Sequence, residues 1–431
     1  MDINRKTAFD VLIDVEKNGA YSNLSLNNYI EKNRPDSPAF VRELVYGVLK
    51  NKMLLDWFLK QLVPSGLKKV KMQDLMLLRM GIYQISYMDS VPEYAAVSQT
   101  VDMAKKLAKG REGFINGVLR GYIRSRNILK TPERGADAAE YLAVVYSTAK
   151  WIVQLWIDAY GEEKAEELLR ASNETPELSI RVNLMKTDRE SLKKELETAG
   201  FDTQESPLSH RALIVSGTGL LESEPYMKGL FSVQDVASIL ASDALGAEPG
   251  DSVADVCAAP GGKTFATAEL MAGKGVIYAM DKYEHKLKLM ETQAKRAGID
   301  NIRLLCRDSR QPLDELRGRM DKVLADVPCS GLGVMRRKPE IKYKGKQELD
   351  ELIERQQQIL NAAADYVADG GILVYSTCTV NPWENEKQIE KFLRGNREFK
   401  ALEEKQLLPG GGTDGFFICR MRKEQYNAGR F

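Results

Sequence analysis

The hydrophobic period of this chain changes along its length, and the change dictates two kinds of fold. From about residue 229, SVADVCA, GVIYAM, IRLLCR, KVLADV, GILVYST and GFFICRMR read as strands, separated by the helical stretches FATAELMA, EHKLKLMETQAKRAG and ELIERQQQILNAAADYVAD. Strands alternating with helices imply an α/β fold built on a mostly parallel sheet. In NRKTAFDVLIDVEKN, SPAFVRELVYGVLKNKMLLDWFLKQLV and KMQDLMLLRMGIYQISYM, apolar residues instead recur every three or four positions. That period, repeated up to residue 130 with Pro64 and Pro92 at breaks, predicts a compact all-α bundle. TPERGADAAE, with no apolar stripe, reads as a linker before a further helical stretch. LSIRVN, DRESLKKELETAG and RALIVSG then predict a small α+β insertion over 176–220. The expected domains are therefore 1–130, 131–228 and 229–431.

Composition narrows the function classes. A chain of 431 residues, 43% hydrophobic and 29% charged, is that of a multidomain soluble protein. It has no run of about 18 apolar residues, and MDINRKTAFD carries no apolar signal core. Neither a membrane anchor nor export is expected. Five cysteines without close pairing read as reduced thiols of a cytoplasmic protein. Two histidines and no C-x-x-C leave little with which to bind zinc, so no metal is expected. Charge is unevenly spread: residues 1–130 hold 21 Lys and Arg against 13 Asp and Glu, a net of +8, leaving −7 on the remainder. A basic module joined to an acidic one suits a phosphate-rich partner, although a solvated helical face has the same composition.

In open parallel sheets, ligands bind beyond the carboxyl ends of the strands. Cys257, Asp281, Asp308, Asp326, Cys329 and Cys378 all fall at or just after such ends. The turn DVCAAPGGKT lacks the glycine that a phosphate loop needs where Cys257 stands, and G-x-G-x-x-G is absent. What remains is a Gly261-Gly262 turn able to approach a ligand closely. Asp281 can accept both hydroxyls of a ribose, and Asp308 an adenine amino group. A nucleoside cofactor without pyrophosphate, such as S-adenosyl-L-methionine, fits.

Cys329 lies in the proline-stiffened turn Asp-x-Pro-Cys, and Cys378 follows VYST on the next strand. The two turns are expected to be spatial neighbours. Thr377, Thr379 and Asn381 make the surroundings of Cys378 polar and loop-like, and Lys263 is placed to lower a nearby thiol pKa. Cys306 and Cys419 read as inert packing. Two thiols beside a methyl-donor site suit a pyrimidine ring. A thiolate adding at carbon 6 of cytosine makes carbon 5 nucleophilic, and an acid such as Asp326 must meet the charge that develops at nitrogen 3. The carbon 5 proton then has to leave.

The strings DVCAAPGGKT, DVPCSG and YSTCT together resemble the bacterial RsmB/Sun ribosomal RNA cytosine methyltransferases, over essentially the whole chain. The resemblance implies an antiterminator NusB-like helical RNA-binding domain over 1–130 and a Rossmann-like class I methyltransferase domain over 229–431. It implies Cys378 as nucleophile, Cys329 as the residue that assists breakdown of the adduct, and Asp326 as a contact to the base. Spacing alone does not rank one thiol over the other. It further implies that Cys257, Ala258, Ala259, Pro260, Gly261, Gly262 and Lys263 hold the methionine part of the cofactor, that Asp281, Lys286 and Asp308 contact its nucleoside, and that Asp326 borders it. The implied substrate is cytosine 967 of small-subunit ribosomal RNA, before full subunit assembly, methylated by a monomer.

Transfer RNA or large-subunit RNA keeps the same chemistry and stays open, as does a non-catalytic RNA-binding or antitermination factor. DNA is not expected, because DNA cytosine methyltransferases attack from a Pro-Cys turn. Candidate RNA contacts are Lys105, Lys106, Lys109, Arg111, Arg120, Arg124 and Arg126, with Arg336, Arg337 and Lys338 as a second basic stretch beside the pocket.

Overall fold

The computed structural model describes residues 1–135 and 137–424. Ala136 of the expected linker and the last seven positions of the expected third domain, 425–431, lie outside the described residues. The chain divides into two compact units: residues 1–174 with 335–346, and residues 175–334 with 347–431.

The first unit is helical. Helices Ile3–Asn18, Ser22–Asn33, Pro38–Leu62, Met72–Tyr87, Glu93–Leu107 and Glu112–Ser125 surround one apolar core. Met72–Tyr87 is its axis, buried continuously from Met76 to Ile85. A helix apolar on all sides has to lie inside. Gly47 of the neighbouring helix meets it so closely that a Cβ would collide with the Tyr83 ring at 1.9 Å. Ala138–Val145, Lys150–Tyr160 and Glu162–Ala171 belong to the same unit. So does the segment Met335–Lys346, although it follows directly on the Cys329 turn in sequence. Lys342 of that segment is fully buried and donates to the carbonyls of Tyr146 (2.6 Å) and Lys50 (3.3 Å) and to Asn173 Oδ1. Tyr343 OH donates to the Leu49 carbonyl, and Ser22 Oγ donates to Glu340 at 2.6 Å.

The second unit holds two sheets. The smaller has four antiparallel strands in the order β2-β3-β1-β4: β1 Ser179–Val182, β2 Asp202–Glu205, β3 Ala212–Ser216 and β4 Phe231–Val233. Sequence periodicity finds β1 and β3. It misses β2, whose side chains are largely exposed, and β4, which lies within the expected third domain with no strand expected there.

The larger sheet contains β5 Ser252–Asp255, β6 Val276–Asp281, β7 Ile302–Cys306, β8 Met320–Asp326, β9 Val367–Thr377, β10 Phe399–Leu407 and β11 Phe416–Lys423, ordered β10-β11-β9-β8-β5-β6-β7. β9, β8, β5, β6 and β7 run parallel, and β11 and β10 close one edge antiparallel. The chain starts in the middle at β5, builds to one side through β6 and β7, then returns to lay β8 and β9 on the other. The strand order reverses between β5 and β8, which is where a doubly wound sheet opens a ligand crevice. Strand β10, FKALEEKQL, escapes a reading by periodicity because only Phe399 among its side chains is buried.

Candidate active site

All the expected strand-end residues arrive at the carboxyl edge of this sheet. β5 ends at Asp255, and the chain turns into helix Gly262–Leu270. Asp255 fastens the turn from beneath: its Oδ1 accepts from the Cys257 N–H at 3.3 Å and its Oδ2 from Thr264 Oγ1 at 2.7 Å. Burial, together with the charge of Asp326, pushes the Asp255 carboxyl up to about 6. Gly261 sits at φ +106°, and a Cβ there would stand 2.5 Å from the Phe265 ring, so the position admits only glycine. The small sheet supports the same turn. Arg181 of β1 donates to the Gly262 carbonyl at 2.7 Å and to Gln234 Oε1, while its Nε and Nη2 bind both oxygens of Glu269. Cys257 faces the acids. Burial, then the charges of Asp255, Asp326, Asp281 and Asp308, push its thiol well above the usual range.

β8 and β9 are neighbours, with Asp326 opposite Ser376. That pairing brings the thiols together: Cys329 Sγ and Cys378 Sγ lie 3.2 Å apart, and neither belongs to a disulfide. Both oxygens of Asp326 are engaged, one by Ser376 Oγ at 2.8 Å and one by the Lys263 ammonium at 2.7 Å. Burial opposes charge on Lys263, but Asp326, Cys378 and Asp255 outweigh it, and the ammonium is held above its ordinary pKa. Cys329 has the opposite environment. Its hydrogen bond to Cys378, its burial and the charges of Cys378, Glu384 and Asp326 all push its thiol well up. Lys263 interacts electrostatically with Cys378, and Glu384 and Asp326 add to the effect of burial on Cys329.

Thr377, Thr379 and Asn381 are polar as expected and fully buried, Thr377 at the end of β9 and the other two in the loop that follows it. Thr377 donates to Asn385 Oδ1 at 2.6 Å, and Thr379 and Asn381 converge on Glu384. Reading the motifs missed Glu384, Ser330, Ser376 and Asp255. The available signal was the run NPWEN one residue after the STCT turn, which matches neither period.

The expected nucleoside contacts are less completely set. Asp281 ends β6 and caps its own turn through the Tyr283 N–H at 2.9 Å. Asp308 is clasped by Arg310, whose Nη2 stands 2.6 Å from Oδ2, and this pairing holds the carboxyl down at about 2. Lys286 lies over the Tyr283 ring at 4.6 Å. Cys306 is exposed, not packed, because β7 is the edge strand; Cys419 is buried as expected. In the basic stretch after the Cys329 turn, Arg336 is buried, whereas Arg337 and Lys338 are half-buried, Lys338 with its ammonium over the Tyr21 ring at 5.4 Å. Of the helical candidates, Lys105 pairs with Asp102, Arg111 with Asp74 and Arg126 with Glu93. Lys106, Lys109, Arg120 and Arg124 are exposed without a carboxylate partner among the described residues. Arg120 and Arg124 line a groove of about 730 Å³ with Tyr94 and Val97.

Comparison with known proteins agrees with this layout. A family model described as 16S rRNA methyltransferase RsmB/F matches residues 242–422. The NusB family matches 2–124, and the ferredoxin-like domain of RsmF/B-like methyltransferases matches 148–220. A Bacillus subtilis relative, probable ribosomal RNA small subunit methyltransferase B, is 38% identical over 97% of this chain and 98% of its own. A Synechocystis relative of the same name is 33% identical over 97% and 99%. Among solved structures, PH0851 is similar at TM-score 0.82 and 26% identity, covering 97% of this chain and 98% of that one.

Proposed function

Because the chain belongs to the RsmB/F family of 16S rRNA methyltransferases, we propose that it methylates carbon 5 of one cytosine of that RNA, cytosine 967, through a covalent adduct on Cys378. The observation that carries this reading is the thiol pair at 3.2 Å, flanked by the Lys263–Asp326 ion pair and opening beside the Gly261 turn. S-Adenosyl-L-methionine, when bound, supplies the electrophilic methyl group. The turn 257–263 has the close backbone approach its methionine part needs, and Asp281 stands ready for a ribose. Asp308 receives the adenine amino group once Arg310 releases it.

The thiolate of Cys378 forms a bond to carbon 6, and the ring electrons move toward nitrogen 3. The Lys263–Asp326 pair meets that charge and lends nitrogen 3 a proton. Carbon 5, now enamine-like, takes the methyl group. Cys329, once its own proton has passed to water, takes the carbon 5 proton, directly or through water. The 5,6 double bond re-forms, the borrowed proton returns and Cys378 leaves as thiolate. The Lys263 ammonium lies where it interacts with the attacking sulfur, and the raised thiol of Cys329 suits a group whose conjugate base is strong enough to take the proton.

Asp326→Asn removes the counter-charge of Lys263 while leaving one oxygen to accept from Ser376. Methyl transfer is expected to fall by about 10²-fold or more, measured as tritium incorporated into target RNA at saturating cofactor. An activity within twofold of wild type removes Asp326 from the chemistry.

RNA is held in this reading by the helical unit. Replacing Lys106, Lys109, Arg120 and Arg124 by Gln is expected to lower the log–log salt slope of RNA binding by about 0.7–0.9 for each phosphate no longer neutralised. The check is affinity titrated across salt concentrations. An unchanged slope assigns the patch to a solvated surface.

Bisulfite sequencing of all ribosomal and transfer RNAs from a deletion strain, complemented with wild type or with Cys378→Ala, tests the whole proposal. The expected result is loss of one 16S site, restored by wild type alone. Loss confined to transfer or large-subunit RNA overturns the substrate, and no loss overturns the reaction. The five free thiols suit action in the reducing cytoplasm.

A further inference from the structure

The two thiols sit on turns 49 residues apart in sequence, and one buried side chain touches both turns. Glu384 is fully buried. Its Oε1 accepts from the Ser330 N–H at 2.7 Å and from Gln356 Nε2 at 2.9 Å, and that same Nε2 donates to the Pro328 carbonyl at 3.0 Å. Its Oε2 accepts from Asn381 Nδ2 at 2.9 Å, from Thr379 Oγ1 at 3.4 Å and from the Ser330 hydroxyl. Pro328 and Ser330 flank Cys329 on its turn, and Thr379 and Asn381 belong to the Cys378 turn.

This pocket is built for a carboxylate. Asn381 cannot turn its amide, because its Oδ1 accepts from the Trp383 N–H at 3.2 Å. Gln356 is equally fixed, its Oε1 accepting from Gln388 Nε2 at 3.2 Å. A glutamine at 384 would therefore point its NH2 at the Ser330 N–H in one orientation and at the Asn381 NH2 in the other. Either choice leaves buried donors facing one another, which is costly.

We propose that Glu384 is the positioning residue of the thiol pair, clamping the Cys329 turn to the Cys378 turn so that each sulfur faces the other. The catalytic consequence rests on the cytosine reading above; the clamp itself does not. Because Glu384 touches neither sulfur, its effect is exerted through Ser330, Thr379 and Asn381. Once Cys378 is bonded to carbon 6, the clamp keeps Cys329 within reach of the carbon 5 proton on that same ring. It follows that Glu384 acts on turnover of the bound base rather than on RNA affinity.

The test reads sulfur-to-sulfur placement without RNA. Diamide takes two hydrogens from a thiol pair, becoming the hydrazine as the S–S bond forms, and the loss of about 2 Da is followed by intact mass. Peptide mapping assigns the bond to Cys329 and Cys378. In Glu384→Gln, closure of this disulfide is expected to slow by roughly tenfold to a hundredfold, while alkylation of the exposed Cys306 and the cooperativity of melting stay as in wild type. With target RNA, kcat is expected to fall by a similar factor with KM for RNA unchanged. Closure at the wild-type rate overturns the proposal. Slowed closure in a protein whose wild type methylates no RNA keeps the clamp and sinks the cytosine reading instead. If Glu384→Gln fails to fold, Ser330→Ala with Thr379→Val removes two donors and leaves the charge in place. A smaller slowing is then expected, and unchanged closure overturns the clamp in that variant too.

Discussion

Cys378→Ala is expected to abolish methyl transfer, by at least ~10³-fold as is usual when a nucleophile is deleted, and to give no covalent RNA adduct. Cys329→Ala is expected to attack and methylate but to release slowly, so that a protein–RNA complex resistant to denaturation accumulates. The basis is the reading of Cys378 as nucleophile, beside the Lys263 ammonium that interacts with it, and of Cys329 as the thiol raised by its hydrogen bond to Cys378, its burial and nearby charges. A denaturing gel of labelled target RNA with each variant and S-adenosyl-L-methionine reads the outcome, with folding checked by circular dichroism. An adduct trapped in the Cys378 variant exchanges the two roles. No adduct from either variant, with activity intact, removes covalent catalysis.

Glu269→Ala is expected to destabilise the second unit by about 3–5 kcal/mol, the range for stripping one partner from a buried ion network. Glu269 neutralises two arginines that are themselves fully buried: Arg181 of β1, at 2.7 and 2.8 Å, and Arg211, at 3.0 Å. Arg211 keeps Asp243 at 2.6 Å and the Ala266 carbonyl, but Arg181 retains no carboxylate among the described residues. Arg181 also holds the Gly262 carbonyl, so loss of Glu269 loosens the cofactor turn as well as the small sheet. Two readouts separate the effects: hydrogen exchange of the β1 and β3 amides, and S-adenosyl-L-methionine titration without RNA. Wild-type exchange in β1 and β3 shows that the network contributes less than its burial implies.

Much of the candidate site was legible because its residues sit in locally coded turns. DVPCSG and YSTCT announce themselves as strand ends, and alternation of strand and helix puts strand ends on one edge whatever the strand order. β2 and β10 were not legible, since neither buries an alternating face. Cys306 was misread for a related reason. Its strand looks like its neighbours in sequence, and only its place at the sheet edge exposes it. Arg336 looked like a free cation and is buried, because the segment following the Cys329 turn packs into the helical unit.

By itself, then, the sequence determined the helical and α/β regions, the glycine turn and which residues stand at the strand ends. These depend on hydrophobic period and on steric demands within a few residues. Tertiary structure alone decided that Cys329 and Cys378 meet at 3.2 Å, that the Lys263–Asp326 ion pair lies beside them, and that Glu384 joins their turns. The reason is physical. Sulfur separation follows from β8 lying beside β9, and a thiol's ionisation follows from charges brought in by separate segments. No window of sequence contains either quantity.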